Sequence, residues 1–275
     1  MHVTKYSRAH DMDGWLRDSR IAARGFAHRW QSSVASGNGE NAFIALVDHY
    51  LHPECDVLDL GCGHGELTLT LAPRCRSIVG IERIPEYVEL ARELAAEQQV
   101  PNVQFYEVNV AGADDNDRPF AGIPLADDSI DVFINRRGPV LQRYLDEALR
   151  VARPSAVMVG LHPAGNTVPP PWNDQLPEPY RNILKALPCD EVAGWVITPL
   201  RRAGISDYSV WWFDIPEFLR TPYELYARLN SSQPADAPEY QAIEPQLTHI
   251  VNHYSTSQGL VLRHQRLLWQ AYLPT

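Results

Sequence analysis

The sequence predicts an α/β fold: a doubly wound, seven-stranded, mainly parallel sheet with an antiparallel last strand, plus helical cover segments. Two observations predict it. Short apolar stretches alternate with helical stretches from about residue 56 onward, which is typical of βαβ units. The first apolar stretch also runs directly into three glycines at alternate positions. With 275 residues, 45% of them hydrophobic, the chain is long enough to bury a large core without metals or disulfides.

Local signals place each element along the chain. Apolar stretches predict strands at Asp56–Leu60, Ser77–Glu82, Val103–Val108, Ser129–Asn135, Ser155–Leu161, Tyr208–Asp214 and the later part of Leu260–Tyr272. Helices are predicted at Asp13–Arg29, Asn41–Leu51, Glu66–Leu71, Pro85–Gln99, Val140–Ala152, Glu191–Ala203, Tyr223–Leu229 and Tyr240–Tyr254. The helix from Pro85 has the clearest start, because proline is favoured in a first turn.

The chain divides into an N-terminal helical cap, residues 1–50, and a main domain, residues 51–275, with an insertion at about 215–258. We expect the cap and the insertion to cover the carboxyl edge of the sheet as a lid. After His162 the chain enters a proline-rich connection, HPAGNTVPPPWNDQLPEP. Prolines cannot donate to a sheet ladder, so this stretch is not expected to form a regular helix or a central strand.

Composition excludes several functional classes. The formal charge is −10, from 24 Lys and Arg against 34 Asp and Glu, so nucleic acid is an unfavoured main partner. The four cysteines, Cys55, Cys62, Cys75 and Cys189, form no CxxC pair, so we expect neither a metal site nor a disulfide scaffold. No apolar run is long enough to span a membrane, and the first residues do not resemble a signal peptide. A cytoplasmic location is therefore expected.

The most informative segment is the loop Gly61-Cys62-Gly63-His64-Gly65, which follows Asp59. A glycine loop at the carboxyl end of a parallel strand is a nucleotide-binding position. Dinucleotides favour G-x-G-x-x-G, but here Glu66 stands at the third glycine position, and Asp59 adds a second carboxylate. Two carboxylates suit a ligand that carries an ammonium and a sulfonium but no phosphate. S-adenosylmethionine (SAM) is such a ligand.

The second predicted strand supports the same interpretation. It ends at Glu82, whose carboxylate is placed to accept hydrogen bonds from two ribose hydroxyls. Ile84 follows and is apolar enough to pack on an adenine ring. The alternative, a simple turn and a solvated strand end, explains each residue separately but not their combination.

Four stretches resemble the class I SAM-dependent methyltransferases: VLDLGCGHGELTLTLA, IVGIERIPEYVELAREL, IPLADDSIDVFINRRGPV and LDEALRVARPSAVMV. The resemblance covers about residues 54–162 and specifies the cofactor much more than the methyl acceptor. It implies that these residues bind SAM: Asp59, Gly61, Gly63, Gly65, Glu82, Arg83, Asn109, Val110 and Asn135. Asn109 stands where the family often has an aspartate that meets the adenine amino group, and Asn135 would lie beside the transferred methyl.

The acceptor side is less determined. Arg136 and Arg137 replace the two prolines that adenine-amino methyltransferases carry after the fourth strand, which argues against adenine as acceptor. These arginines either bind an acidic acceptor or pair with one of the nearby carboxylates, Asp127, Asp128, Asp131 or Glu147. Arg137 is the stronger acceptor candidate. His162, at the end of the fifth strand, is a second catalytic candidate, as a base; a structural role for it is the alternative.

The resemblance therefore implies a SAM-dependent methyltransferase that acts on an oxygen or nitrogen atom of a small molecule, acidic or planar. Two alternatives remain open. One is an RNA base methyltransferase, because LADDSIDVFIN resembles some guanine-N1 rRNA enzymes, although their cysteine-rich zinc module is missing from this sequence. The other is a SAM-binding fold that catalyses non-methylating chemistry, because cofactor motifs report binding and not transfer.

Overall fold

A computed structural model describes residues 39–109, 122–139, 141–165, 169–181, 189–230 and 237–274. The predicted helix Asp13–Arg29, most of the predicted cap and the cofactor candidate Val110 lie outside these ranges. Among the described residues, no helix has the length and apolar character that crossing a membrane requires.

The sheet has seven strands in the order β3-β2-β1-β4-β5-β7-β6. Their bounds are β1 Asp56–Leu60, β2 Ser77–Glu82, β3 Val103–Glu107, β4 Ile130–Arg136, β5 Ala152–Gly165, β6 Tyr208–Leu219 and β7 Leu260–Tyr272. Strands β1 to β5 pair in parallel, while β7 runs antiparallel to both β5 and β6. The predicted fold class is confirmed, including the antiparallel last strand.

The described residues also contain seven α-helices. They are α1 Glu40–Tyr50, α2 Glu66–Leu71, α3 Pro85–Glu97, α4 Leu145–Val151, α5 Cys189–Arg202, α6 Pro222–Leu229 and α7 Tyr240–Tyr254. Phe43 and Val47 of α1 pack with Leu67 and Leu71 of α2 on one face of the sheet. Apolar residues of α4 and α5 pack on the opposite face. All five residues of β1 are buried, as expected for a strand covered on both faces.

Three strands extend further than their local patterns predict. β5 continues from Leu161 to Gly165, β6 continues to Leu219, and β7 occupies the whole of Leu260–Tyr272. Pro163 is tolerated because β4 pairing ends at Leu161, so this part of β5 pairs only with β7. The chain between β6 and β7 is therefore shorter than the predicted 215–258 insertion.

These extensions form an arm at the carboxyl edge of the sheet. β6 and β7 stay paired as far as Leu219 and Leu260, beyond the last β5 pair at Gly165. Helix α6 follows the end of β6, and helix α7 precedes the start of β7. Both helices share an apolar cluster with these strand ends, and the cluster includes Trp172 and Tyr180. The arm thus has its own small core, separate from the two clusters on the sheet faces.

An ion network closes the opposite, amino edge of the sheet. The Asp56 carboxylate accepts hydrogen bonds from Arg76 Nε at 2.9 Å, Ser77 Oγ at 2.7 Å and Arg153 Nη2 at 2.8 Å. Arg153 also reaches Asp131 at 2.5 Å. Burial alone would raise the pKa of Asp56, but the hydrogen bonds from Arg76, Ser77 and Arg153 hold it well below its usual value.

This network predicts an acid-sensitive component of stability. The folded-state pKa of Asp56 is lower than its unfolded value of about 4, so the stabilisation is complete above about pH 4 and is lost as pH falls below it. Asp56→Asn should lower the free energy of unfolding at neutral pH by about 1.5–3 kcal/mol and flatten its decline in acid. Urea denaturation across this pH range measures both effects. Asp190→Asn, at an exposed carboxylate, is the matched control; equal losses in both variants would contradict the role of the network.

Candidate active site

A recessed cavity of about 390 Å³ lies at the carboxyl ends of β1, β2, β3 and β4. Because these strands are neighbours in the order β3-β2-β1-β4, the cavity spans three strand spacings, about 14 Å. Its lining consists of Gly61, Cys62, Gly63, His64, Glu66, Ile81, Glu82, Arg83, Ile84, Tyr87, Val108, Asn109, Arg136, Arg137, Gly138 and Pro139. The cavity therefore brings together Gly61, Gly63, Glu82, Arg83 and Asn109 of the predicted cofactor residues.

The glycine loop forms one wall and needs glycine for two different reasons. Gly63 has φ +57°, and a Cβ atom built there would meet nothing within 4 Å, so this position opens directly into free space. Gly65 has φ +81°, and a Cβ atom there would lie 2.7 Å from the Phe105 ring. Gly65 does not line the cavity. Its role is to let the loop pack closely on β3 while Gly63 leaves room for a ligand.

Glu82, the last residue of β2, is tied to the loop through the backbone. Its Oε2 accepts from the Gly63 N–H at 3.1 Å, and Oε1 accepts from Arg83 N–H at 2.8 Å and Ile84 N–H at 3.1 Å. Burial raises the pKa of Glu82, and these three N–H donors oppose the rise. Oε2 accepts one of the three bonds and keeps a lone pair for a ligand hydroxyl.

Asp59 lies behind the loop and does not reach the cavity. It is 2% exposed and accepts a 2.6 Å hydrogen bond from Thr68 Oγ1. Burial raises the pKa of Asp59 to about 6, while Thr68 and the charge of Arg136 oppose the rise. This position does not support direct contact between Asp59 and a ligand; the side chain instead links the end of β1 to α2 through Thr68.

Asn135 also has a different position from the predicted one beside the cofactor. Its Nδ2 donates to the Pro139 carbonyl at 2.8 Å and to Tyr144 Oη at 2.6 Å, and its Oδ1 accepts from the Gly138 N–H at 2.9 Å. The side chain is buried and outside the cavity lining. Asn135 therefore shapes the turn 136–139, whose residues do line the cavity.

Arg136 and Arg137 both line the cavity but have different partners. Arg137 Nη2 bonds to Glu40 of α1 and lies beside the buried Arg266, which bonds the same carboxylate at 2.7 Å. Arg136 approaches Glu40 and Glu66 only to 3.9 Å each. The carboxylates that the sequence suggested as partners are engaged elsewhere: Asp127 and Glu147 pair with Arg150, and Asp131 pairs with Arg153.

The structure does not support His162 as a base. Its imidazole is 6% exposed, lies outside the cavity lining, and stacks against the Trp269 indole with ring centroids 6.2 Å apart. Burial lowers the pKa of His162 to about 4. Its Nε2 has no hydrogen-bond partner among the described residues. A buried, neutral imidazole packed on an indole has a structural role.

Several lining residues were not predicted as site residues, among them Cys62, His64 and Tyr87. His64 and Tyr87 meet edge to face at 6.4 Å, and burial lowers the pKa of His64, so its imidazole is neutral at physiological pH. Burial raises the pKa of the Cys62 thiol well above its usual value, so it is not a reactive thiolate. Cys62 and His64 lie within the glycine loop itself, so their place between the glycines could have identified them as lining residues.

These residues fit SAM in several respects. Gly63 leaves open space beside the Glu82 carboxylate, and Ile84 and Val108 offer an apolar surface for a flat ring. Asn109 adds an amide that can both donate and accept hydrogen bonds. The carboxylates Glu82 and Glu66 face the same cavity and would oppose a pyrophosphate, whereas they tolerate an ammonium or a sulfonium.

Comparisons with known proteins agree with this geometry. Residues 51–183 match the family model of a methyltransferase domain. A 23S rRNA (uracil(1939)-C(5))-methyltransferase, RlmD of Klebsiella pneumoniae subsp. pneumoniae, is 48% identical over 60 residues. That match covers 22% of this chain and only 14% of the relative's own length.

Solved structures share the fold across most of the chain. The YcgJ protein of Bacillus subtilis has a TM-score of 0.56 at 16% identity and covers 86% of this chain and 99% of its own. The [4+2]-cyclase SpnF has a TM-score of 0.55 at 19% identity, and the match covers 97% of this chain and 94% of SpnF. The family match, the sheet order and the glycine loop with Glu82 point to one conclusion. Residues 51–183 resemble a methyltransferase domain, and the described part of the chain has the Rossmann-like fold of a SAM-dependent methyltransferase.

Proposed function

We propose that this protein transfers the methyl group of SAM to an oxygen or nitrogen nucleophile of a small molecule. One observation carries the proposal: the Glu82 end and the arginine end belong to a single recessed cavity. The first suits the ribose of the cofactor, and the second suits a polar acceptor beside it. A recessed cavity of about 390 Å³ is in the range of small-ligand sites.

The chain's own residues have binding and positioning roles in this proposal. Glu82 holds the ribose hydroxyls, Asn109 meets the adenine edge, and the glycine loop lets the backbone approach the methionine part. When bound, SAM supplies a methyl group that is already activated by the positive charge on sulfur. The protein then contributes chiefly alignment of the acceptor with that methyl group.

We infer that the β6–β7 arm is a lid for the acceptor. It stands at the same carboxyl edge as the cavity and has its own apolar cluster. Among the described residues, none that lines the cavity comes from the arm, so a lid role requires the arm to lie nearer to the cavity when an acceptor is bound. The lid role of residues 1–50 remains a prediction, since residues 1–38 lie outside the described ranges.

Two other functions have some support. The RlmD match is a reason to test RNA as acceptor, although it covers 22% of this chain. The fold shared with a [4+2]-cyclase is a reason to test for SAM binding without transfer. The charge of −10 favours the small-molecule acceptor over RNA.

The decisive experiment incubates the full-length chain with SAM labelled in its methyl group and with separate pools of small metabolites and total RNA. We expect label in the small-molecule pool. Calorimetry should show micromolar affinity for S-adenosylhomocysteine (SAH), about −8 kcal/mol, and no binding of NAD. Label in RNA would overturn the acceptor class; SAH binding with no transfer to either pool would favour the non-methylating function.

A further inference from the structure

We propose that Arg136 binds a carboxylate group of the acceptor at the β4 end of the cofactor cavity. The inference deepens the proposed function and rests on it. It also moves the acceptor role predicted for Arg137 to its neighbour, for reasons of hydrogen bonding, charge and position.

The first reason is that the Arg136 guanidinium has unused hydrogen-bonding capacity. Its ion pairs with Glu40 and Glu66 measure 3.9 Å, which is beyond hydrogen-bond distance. It donates no hydrogen bond to any described residue, whereas Arg137 bonds directly to Glu40. The Arg136 side chain is 23% exposed and lines the cavity. A guanidinium largely removed from water is costly unless its donors are satisfied.

The second reason is the positive charge at this end of the cavity. The guanidinium groups of Arg136, Arg137 and Arg266 all approach the same carboxylate, that of Glu40. Burial and the charges of Arg137 and Arg136 lower the pKa of Arg266, while Glu40 opposes them. Three guanidinium groups so close together attract an anionic group of a ligand.

The third reason is position. Arg136 ends β4 and Glu82 ends β2, on opposite sides of β1. If the ribose lies at Glu82, the cavity beside Arg136 is left for the remainder of the cofactor and for the acceptor. A guanidinium there offers two parallel donors to a carboxylate. An acceptor held as an anion has no proton to lose on methylation and so requires no base.

The test separates acceptor binding from cofactor binding. SAH affinity is first measured by calorimetry for the full-length chain; no binding would overturn the proposed function itself. SAH-saturated protein is then titrated with aromatic and aliphatic carboxylates, each paired with its primary amide. We expect at least one carboxylate to bind about tenfold more tightly than its amide, the usual scale for a charged hydrogen bond.

Arg136→Gln should abolish this preference while SAH affinity stays within about twofold, and Arg136→Lys should retain only part of it. Arg202→Gln, at an exposed arginine of α5, is the matched control and should keep the preference. Thermal unfolding of each variant monitors folding. The proposal would be overturned by no carboxylate preference in the unmutated protein, by a preference that survives Arg136→Gln, or by a loss of SAH affinity that assigns Arg136 to the cofactor's carboxylate. Preferential binding of RNA oligonucleotides over every carboxylate would also overturn it.

Discussion

Replacing Glu82 with alanine should weaken SAH binding by about ten- to a hundredfold, the equivalent of roughly 1.5–3 kcal/mol for hydrogen bonds to a charged group. The substitution removes the expected ribose acceptor. It also leaves the N–H groups of Gly63, Arg83 and Ile84 without the carboxylate that now accepts from them. Both effects act on the same wall of the cavity, so the substitution should lower SAH affinity more clearly than it lowers the free energy of unfolding.

The chain contains a matched control for this substitution. Glu107 ends β3 and is the register partner of Glu82 in the adjacent strand, but it is exposed and does not line the cavity. Glu107→Ala removes the same charge from the same edge of the sheet and should leave the dissociation constant of SAH unchanged. Equal weakening in both variants would assign the effect to net charge, and unchanged affinity in Glu82→Ala would reject the ribose role.

The sequence predicts the cofactor side of the cavity well because its signals are local. The strand, the glycines and Glu82 lie within the span 56–82, and the parallel pairing of β1 with β2 places the loop beside the strand end. Backbone bonds from Gly61 and Cys62 to the Ile81 carbonyl then fix that arrangement. The residues within this span are therefore sufficient to predict how the loop and Glu82 meet.

The acceptor side depends on distant contacts, and there the predictions are weaker. Arg137 pairs with Glu40, which is 97 positions away, so no local pattern identifies the partner. The family resemblance implied that Asn135 lies beside the methyl group, but its side-chain amide instead bonds to Tyr144 and to the turn that follows. The extensions of β5 and β6 likewise depend on pairing with β7. Because β7 is the last strand of the chain, no pattern close to β5 or β6 predicts them.

The largest expected effect of a single methyl group is at Gly138. A Cβ atom there would lie 2.2 Å from the Leu60 carbonyl oxygen and 2.7 Å from Asn135 Oδ1. The first contact is with backbone of the central strand, so the clash cannot be relieved by a rotamer change. Gly138→Ala should therefore separate the turn 136–139 from the glycine loop. We expect a loss of about 1–3 kcal/mol or more in the free energy of unfolding, the range for overpacking.

The same separation should widen the cavity, because Gly138 and Pro139 form its wall and also pack against Gly61. SAH affinity should consequently fall even under conditions in which the variant is fully folded. Gly194→Ala in α5 is the control, since a Cβ atom there meets nothing within 4 Å; it should be neutral or stabilise the helix by up to about 1 kcal/mol. Urea denaturation and calorimetry on both variants measure the contrast. If Gly138→Ala binds SAH normally and unfolds at the same urea concentration as the unmutated chain, the close approach of the turn to Leu60 does not hold the cavity in shape.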